Sequence, residues 1–222
     1  MRHSDQLGQK LQVWDLPVRL FHWLLVALVV SQIVSVGGLA MEYHALGGYA
    51  ILTLIVFRIA WGLFGSTHAR FSNFLCGPAA VLRYLRSLAK PGHAPHPGHN
   101  PLGGWSVMLM LASLLTQAIS GLFADDDILM RGPLAKHVSG DTVSLMTRIH
   151  DTNAIVLFVL IGIHIAAVLF YLVFKRENLI GPMFTGYKRV ASPPVDAPQA
   201  GIWRAVILLA ASGAAVYGIV NI

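Results

Sequence analysis

Long apolar runs alternate with polar segments along this chain. Five runs are long enough to cross a bilayer, because a spanning helix needs about 20 mostly apolar residues. They cover roughly residues 16–40, 44–64, 102–123, 150–174 and 202–220. Gly, Pro and charged residues fill the connections between them. The pattern predicts an all-α integral membrane helical bundle. We expect a four-helix core within residues 1–190, and a linker and a fifth C-terminal transmembrane helix within residues 191–222.

The composition supports a membrane protein and narrows its chemistry. Of the 222 residues, 55% are hydrophobic and only 12% are charged, and the mean hydropathy is +0.64. Soluble domains carry about 25% charged residues. The single cysteine, Cys76, excludes an internal disulfide, a cysteine-ligated cluster within the chain and a CxxCH haem attachment. Any haem is therefore expected to be non-covalent. We identify no catalytic nucleophile, acid–base carboxylate pair or phosphate loop, so the sequence leaves open whether the chain is an enzyme.

The distribution of basic residues predicts how the helices are oriented. The formal net charge is +6. With a cytoplasmic N-terminus, thirteen of the sixteen Lys and Arg residues fall in segments on the inner side. The positive-inside rule therefore predicts a multi-pass protein of a bacterial inner membrane, with the N-terminus cytoplasmic and the C-terminus, after five spans, periplasmic. We interpret the positive charge as membrane topology and expect no nucleic-acid partner.

Four histidines within or at the ends of the apolar runs are the strongest candidates for chemistry. His150 and His164 are fourteen residues apart on one predicted helix, which places them about 21 Å apart on the same side. The predicted topology puts His44 at the depth of His150, near the outer surface, and His22 at the depth of His164, near the inner surface. Neutral imidazole is a common axial ligand of haem iron. The two pairs therefore predict two non-covalent haem b groups held by bis-histidine ligation.

Packing or a different metal could also account for these histidines. A lone histidine in an apolar helix is more often a packed or hydrogen-bonded residue than a ligand. Four histidines in two pairs of matching depth reverse that preference, because four unpartnered imidazoles in a membrane are costly. A zinc or copper site is less plausible, since the pairs are too far apart to share one metal and no cysteine or carboxylate completes either pair.

Two arginines are candidate partners for haem propionates. Arg58 lies fourteen residues after His44 and therefore on the same helix face, and Arg19 lies one turn before His22. A planar guanidinium binds a carboxylate through two hydrogen bonds. Either side chain could equally extend to the membrane interface, so the sequence leaves both interpretations open.

Several fragments together resemble a known family. The fragment WDLPVRLFHW covers residues 14–23, HALGGY begins at His44 and RIAWG begins at Arg58. The others are ARFSNF at 69–74, NPLGGW at 100–105, RIHD at 148–151 and KRENLIGPMFTG at 175–186. Each fragment is weak alone, but the set resembles the bacterial cytochrome b561 family. That family includes the b-type cytochrome subunits of nickel–iron hydrogenases.

The resemblance implies a function. Four helices would hold two b haems through histidines on helices one, two and four, which correspond here to His22, His44, His150 and His164. It implies electron exchange between membrane quinone or quinol and a periplasmic partner, which we expect to be a c-type cytochrome in a respiratory chain. The alternative is a membrane anchor and b-type cytochrome subunit of a multisubunit metalloenzyme such as a nickel–iron hydrogenase. A haem-free transporter or structural membrane protein is the remaining rival. The fifth helix is not part of the four-helix pattern. Its presence weakens any partner assignment taken from family members with four helices.

The remaining histidines carry weaker predictions. His93, His96 and His99 form an HxxHxxH pattern in a segment rich in Pro and Gly. Three histidines suit a divalent metal, but the prolines predict a loop in which this spacing does not place them on one helix face. We therefore favour a loop without a specific metal site. His68 lies in a basic loop, where a solvated side chain is the simplest interpretation.

Overall fold

Eight α-helices dominate the part of the chain that the structure, a computed structural model, describes: residues 9–36, 41–88, 98–126, 128, 130–190 and 198–222. Five of the helices are long and apolar enough to cross a membrane. These five are α1 Leu16–Ser35, α2 Met41–Phe64, α5 Pro101–Phe123, α6 Gly140–Val173 and α8 Ile202–Val220. The shorter helices are α3 Phe71–Phe74, α4 Pro78–Leu88 and α7 Ile180–Thr185. The predicted all-α membrane bundle with five spans is confirmed.

Side-chain caps fix where three of the spans begin. The Asp15 carboxylate accepts a hydrogen bond from the backbone N–H of Val18 (2.8 Å) at the start of α1. Asn100 caps α5 in the same way through Gly103 (2.7 Å). Ser139 caps α6. Each cap satisfies a backbone donor that the first helical turn leaves without a partner.

Helix α6 extends well beyond its apolar run. The sequence pattern places its start near His150, whereas the helix begins at Gly140 and continues for 34 residues, about 51 Å. Its first three turns interrupt the apolar pattern with Asp141, Arg148 and three hydroxyl residues, so hydropathy alone does not reveal them. Thr147 in this extension accepts a hydrogen bond from the backbone N–H of Asp125 (3.1 Å), which joins the extension to the loop after α5. In contrast, α1 ends at Ser35, before the predicted boundary at residue 40.

Helix α2 is the centre of the bundle. It packs against α1, α5 and α8, and α5 also packs against α6. Ile55 and Trp61 of α2 are completely buried. Helix α6 is the least buried of the five spans inside the molecule, so most of its apolar surface faces outward. The fifth span therefore joins the four-helix core through α2.

A short two-stranded sheet joins the segment that precedes α1 to the segment that follows α7. Strand β1 Gln9–Gln12 pairs antiparallel with β2 Tyr187–Val190. Between α7 and β2, Gly186 has φ +86°, and its carbonyl oxygen accepts hydrogen bonds from the N–H groups of Val13 (2.9 Å) and Trp14 (3.1 Å). A Cβ at Gly186 would lie 2.8 Å from the Trp14 carbonyl oxygen, so both the backbone angle and the available space require glycine.

Candidate functional site

The outer histidine pair has a geometry that suits one metal atom between two imidazoles. His44 lies in the first turns of α2 and His150 lies on α6. Their ring centroids are 6.3 Å apart and their planes are inclined by 75°. Two metal–imidazole bonds of about 2.0 Å, plus about 1 Å from each nitrogen to its ring centre, give a separation of about 6 Å. The pair therefore fits bis-histidine ligation.

Helix α5 holds the His150 ring in the tautomer that leaves Nε2 able to bind a metal. The Nδ1 atom of His150 lies 2.9 Å from the carbonyl oxygen of Gln117 and 3.3 Å from the hydroxyl of Ser120. A carbonyl oxygen only accepts, so Nδ1 carries the proton and Nε2 keeps its lone pair. Metal-binding histidines are commonly oriented by this type of hydrogen bond.

A polar network behind His150 was not predicted from the sequence. The Asn153 amide donates to the Ser113 carbonyl oxygen (2.9 Å) and to Oε1 of Gln117 (2.8 Å). The Ser113 hydroxyl donates to Oδ1 of Asn153 (3.1 Å). The sequence does carry a signal, since Ser113, Gln117 and Ser120 recur at helical spacing in an apolar helix. The network holds α5 against α6 on the side of α5 that orients His150.

Gly121 leaves room for the same ring. A Cβ at Gly121 would lie 3.0 Å from Cε1 of His150 and 3.2 Å from its Nδ1. We expect Gly121→Val to displace the ring and weaken its bond to Gln117, with a loss of about 10-fold or more in haem affinity at the outer site. The haem-to-protein ratio and a redox titration measure this loss. Gly162→Val on α6 is the control, because a Cβ there meets no atom within 4 Å. Equal effects of the two variants would contradict the role assigned to Gly121.

The inner pair consists of one histidine on α1 and one on α6. His22 lies within electrostatic range of His164, and both side chains are partly buried. The ring of His22 contacts Trp23 edge-on at 4.9 Å, and the Trp23 indole donates to the Met183 carbonyl oxygen (3.1 Å). Trp23 therefore connects His22 with α7.

Two imidazole nitrogens in these pairs lack a protein partner. Nδ1 of His22 and Nδ1 of His44 are both buried, and neither has a hydrogen-bond partner among the residues that the structure describes. Burying a polar atom without a partner costs about 1–3 kcal/mol. A bound group that contacts these nitrogens would supply an interaction that the described residues do not.

The two candidate arginines lie near the start of α1 and towards the end of α2. One Nη atom of Arg19 donates to the Phe184 carbonyl oxygen, which ties α1 to α7. Arg58 is only 3% exposed, donates to the Ala69 carbonyl oxygen (3.2 Å) and lies 5.1 Å from the ring centre of Phe71. This burial disfavours extension of Arg58 to the interface. That either side chain contacts a haem propionate stays a prediction.

A buried carboxylate accompanies Arg58. Asp15 is 6% exposed and lies within electrostatic range of Arg58. One carboxylate oxygen caps α1 and the other accepts a hydrogen bond from the Trp61 indole (2.9 Å). Asp15 was not predicted from the sequence as part of a site, although its place in the WDLP fragment before a helix is a signal for an N-cap.

His99 lies within electrostatic range of Arg58, and we expect it to make the free energy of unfolding depend on pH. Its ring contacts Trp14 at 4.6 Å and Phe74 at 4.5 Å. Burial lowers the pKa of His99 to about 3, and the charges of Arg58 and His68 contribute to that lowering. In the unfolded chain the pKa is about 6.5. The unfolded state therefore binds more protons below that pH, and the free energy of unfolding falls as pH decreases from about 6.5 towards 3.

Denaturation in detergent between pH about 7 and about 5 tests this expectation. One proton gives a slope of at most about 1.4 kcal/mol per pH unit. His68 adds to the slope, because burial also lowers its pKa. His99→Gln should flatten the dependence, whereas His137→Gln, at an exposed position, should leave it unchanged. An unchanged slope in His99→Gln would overturn the assignment.

The remaining candidates do not form a further site among the described residues. His93 and His96 lie outside the described residues, so the structure does not test the HxxHxxH pattern. In the described part of the chain, no group of three or more His, Cys, Asp or Glu side chains is arranged to hold a metal ion. Cys76 is a free thiol.

The membrane-spanning fold and the matching family together define a class of protein, a membrane b-type cytochrome. The family of prokaryotic cytochrome b561 matches residues 13–186, well over half of the chain. The chain belongs to that family, as the sequence fragments suggested. Membership implies b-type haem binding and a role in electron transfer. The match ends before α8, so the fifth helix lies beyond it. No curated protein and no solved structure matches the chain.

Proposed function

We propose that the chain holds two haem b groups and relays electrons between membrane quinone and a periplasmic redox partner. His44 and His150 would ligate the outer haem, and His22 and His164 the inner one. The observation that carries the proposal is the 6.3 Å separation of the His44 and His150 rings, which fits one metal atom between them. Haem supplies one-electron redox chemistry when bound.

The protein contributes ligands, orientation and a dry surrounding. The Gln117 carbonyl oxygen keeps the His150 proton on Nδ1 and leaves Nε2 available. Helix α6 supplies a ligand to each site, and about 21 Å of helix separates His150 from His164. One rigid element therefore sets the distance between the sites across most of a hydrocarbon core of about 30 Å.

The inner pair would face the cytoplasm. The excess of Lys and Arg in the segments near His22 and His164 supports a cytoplasmic position for that end. The outer pair would then face the periplasm, where a c-type cytochrome can approach. Quinone exchange near the inner pair would couple electron flow to proton movement on the cytoplasmic side. A quinone-site inhibitor that affects only the outer haem would contradict that placement.

A pyridine haemochrome measurement on the purified full chain tests for the two haems. We expect a b-type spectrum and a haem-to-protein ratio near two, with no covalent haem, since the chain lacks a CxxCH motif. A ratio near one would leave only one site, and absence of b-type absorbance after correct assembly would end the proposal. Co-purification with a large metalloenzyme would instead favour the role of a hydrogenase-type subunit.

A further inference from the structure

A cleft separate from the histidine pairs lies where α2 ends and α8 begins. Its volume is about 490 Å³, and its lining residues are Leu63, Phe64, Arg70, Arg204 and Leu208. None of the four candidate haem ligands lines it. The cleft combines two cations with an apolar floor, which is the chemistry of an amphipathic ligand with an anionic group.

The two guanidinium groups are held beside each other by the end of α2. Nη1 of Arg204 donates to the Phe64 carbonyl oxygen (3.0 Å), and Nε of Arg70 donates to the carbonyl oxygen of the next residue, Gly65 (2.8 Å). In the described part of the chain, neither arginine has a carboxylate within 4.0 Å. Two adjacent like charges repel each other, and each guanidinium retains further N–H donors. A bound anion would relieve the repulsion and accept these hydrogen bonds.

The apolar part of the cleft is open to the membrane. Leu63 and Phe64 are each 58% exposed, and Leu208 lies on the next turn of α8 after Arg204. One spanning helix ends and another begins at this level, so the cations lie where a bilayer carries its headgroups and the leucines where it carries its acyl chains. Basic pockets between helices at this depth are suited to phospholipid headgroups.

The cleft depends on a tertiary contact that is particular to the fifth helix. The Thr67 backbone N–H and hydroxyl both donate to the Pro198 carbonyl oxygen (3.2 and 3.0 Å). The Ala200 N–H donates to the Ser66 hydroxyl (2.9 Å). These bonds fix the start of α8 against the loop after α2. Arg204 lies beyond the residues that match the family, so the cleft is not a property of the four-helix core.

We propose that this cleft is a binding site for an anionic phospholipid, whose phosphate contacts Arg70 and Arg204 and whose acyl chains lie along Leu63, Phe64 and Leu208. The site would fasten the fifth helix to the four-helix core. The proposal does not depend on the number of haems or on the redox partner.

Native mass spectrometry of the purified full chain in a neutral detergent tests the site. Phosphatidylglycerol is the probe and phosphatidylcholine the zwitterionic comparison. We expect one phosphatidylglycerol to be retained in preference to phosphatidylcholine, and Arg70→Gln/Arg204→Gln to weaken that binding by at least about tenfold. Arg83→Gln/Arg86→Gln is the matched control, since it removes the same charge from exposed positions on α4. The control should retain the lipid.

Three results would overturn the proposal. One is equal binding of phosphatidylcholine, and another is an equal loss in the Arg83/Arg86 control, which would indicate general surface attraction. The third is displacement of the lipid by excess inorganic phosphate, which would assign the cleft to a free anion. If the double variant does not fold, a photoactivatable phosphatidylglycerol on the unaltered protein replaces it. Crosslinks are then expected at 63–70 and 204–208, and a spread over other helices would contradict the site.

Discussion

Replacing His44 by alanine should remove one haem and leave the other in place. His150→Ala should remove the same haem, because the two rings lie 6.3 Å apart and would share one iron. His22→Ala and His164→Ala should remove the other. Each single variant is expected to bind about one haem per chain instead of two, since a buried imidazole has no nearby substitute ligand. The haem-to-protein ratio and a redox titration measure this outcome, with one component lost from the titration.

An exposed histidine provides the control for these variants. His137→Ala should keep both haems, because this residue is exposed in the 3₁₀ helix Ala135–His137. If His44→Ala and His22→Ala removed the same redox component, the pairing by depth would be wrong. If His44→Ala kept two haems, the outer pair would not be a ligand pair, whatever its geometry.

Replacing Asp15 by alanine should destabilise the fold by about 3–5 kcal/mol, because Asp15 combines a charge within electrostatic range of the buried Arg58 with two buried hydrogen bonds. Asp15 is 6% exposed and Arg58 is 3% exposed, so neither charge is screened by much solvent. The change also removes the cap on Val18 and the acceptor for the Trp61 indole. The three losses act on the same junction of α1 and α2, where Arg58 would remain as a buried cation.

Unfolding in mixed detergent micelles measures the loss. Asp15→Asn is the informative comparison, because an amide oxygen still caps a helix but carries no charge. The expected order of stability is wild type, then Asp15→Asn, then Asp15→Ala. Asp141→Ala, at an exposed position in the first turn of α6, should cost less than about 1 kcal/mol. A loss below about 1 kcal/mol in Asp15→Ala would show that Arg58 has another counter-charge.

The sequence predicted four candidate histidines but did not predict the residues that surround them. Desolvation makes an imidazole in an apolar run conspicuous, and a helical rise of about 1.5 Å per residue converts spacing into depth. The structure adds that Gln117 orients His150 and that Gly121 leaves it space. These residues lie on α5, about 30 positions away, so no local pattern in the sequence connects them with His150.

For the fold as well, the sequence predicted some features and missed others. Hydropathy predicted five spans, because each run of about 20 apolar residues must find lipid or another helix. It did not predict the polar turns of α6 before His150, which hydropathy does not distinguish from a loop. The pairing of β1 with β2 was also missed, because its hydrogen bonds join residues almost 180 positions apart.

The sequence by itself determined the membrane-spanning class, the number of spans and the spacing of the candidate histidines, because bilayer thickness and helical periodicity act on each segment separately. Only the tertiary structure decided which side chains meet. It placed Asp15 beside Arg58 and Trp61, and it brought Arg204 to the end of α2 next to Arg70. These contacts depend on how helices distant in the chain pack together, and that packing is set by the shapes of all the facing side chains at once.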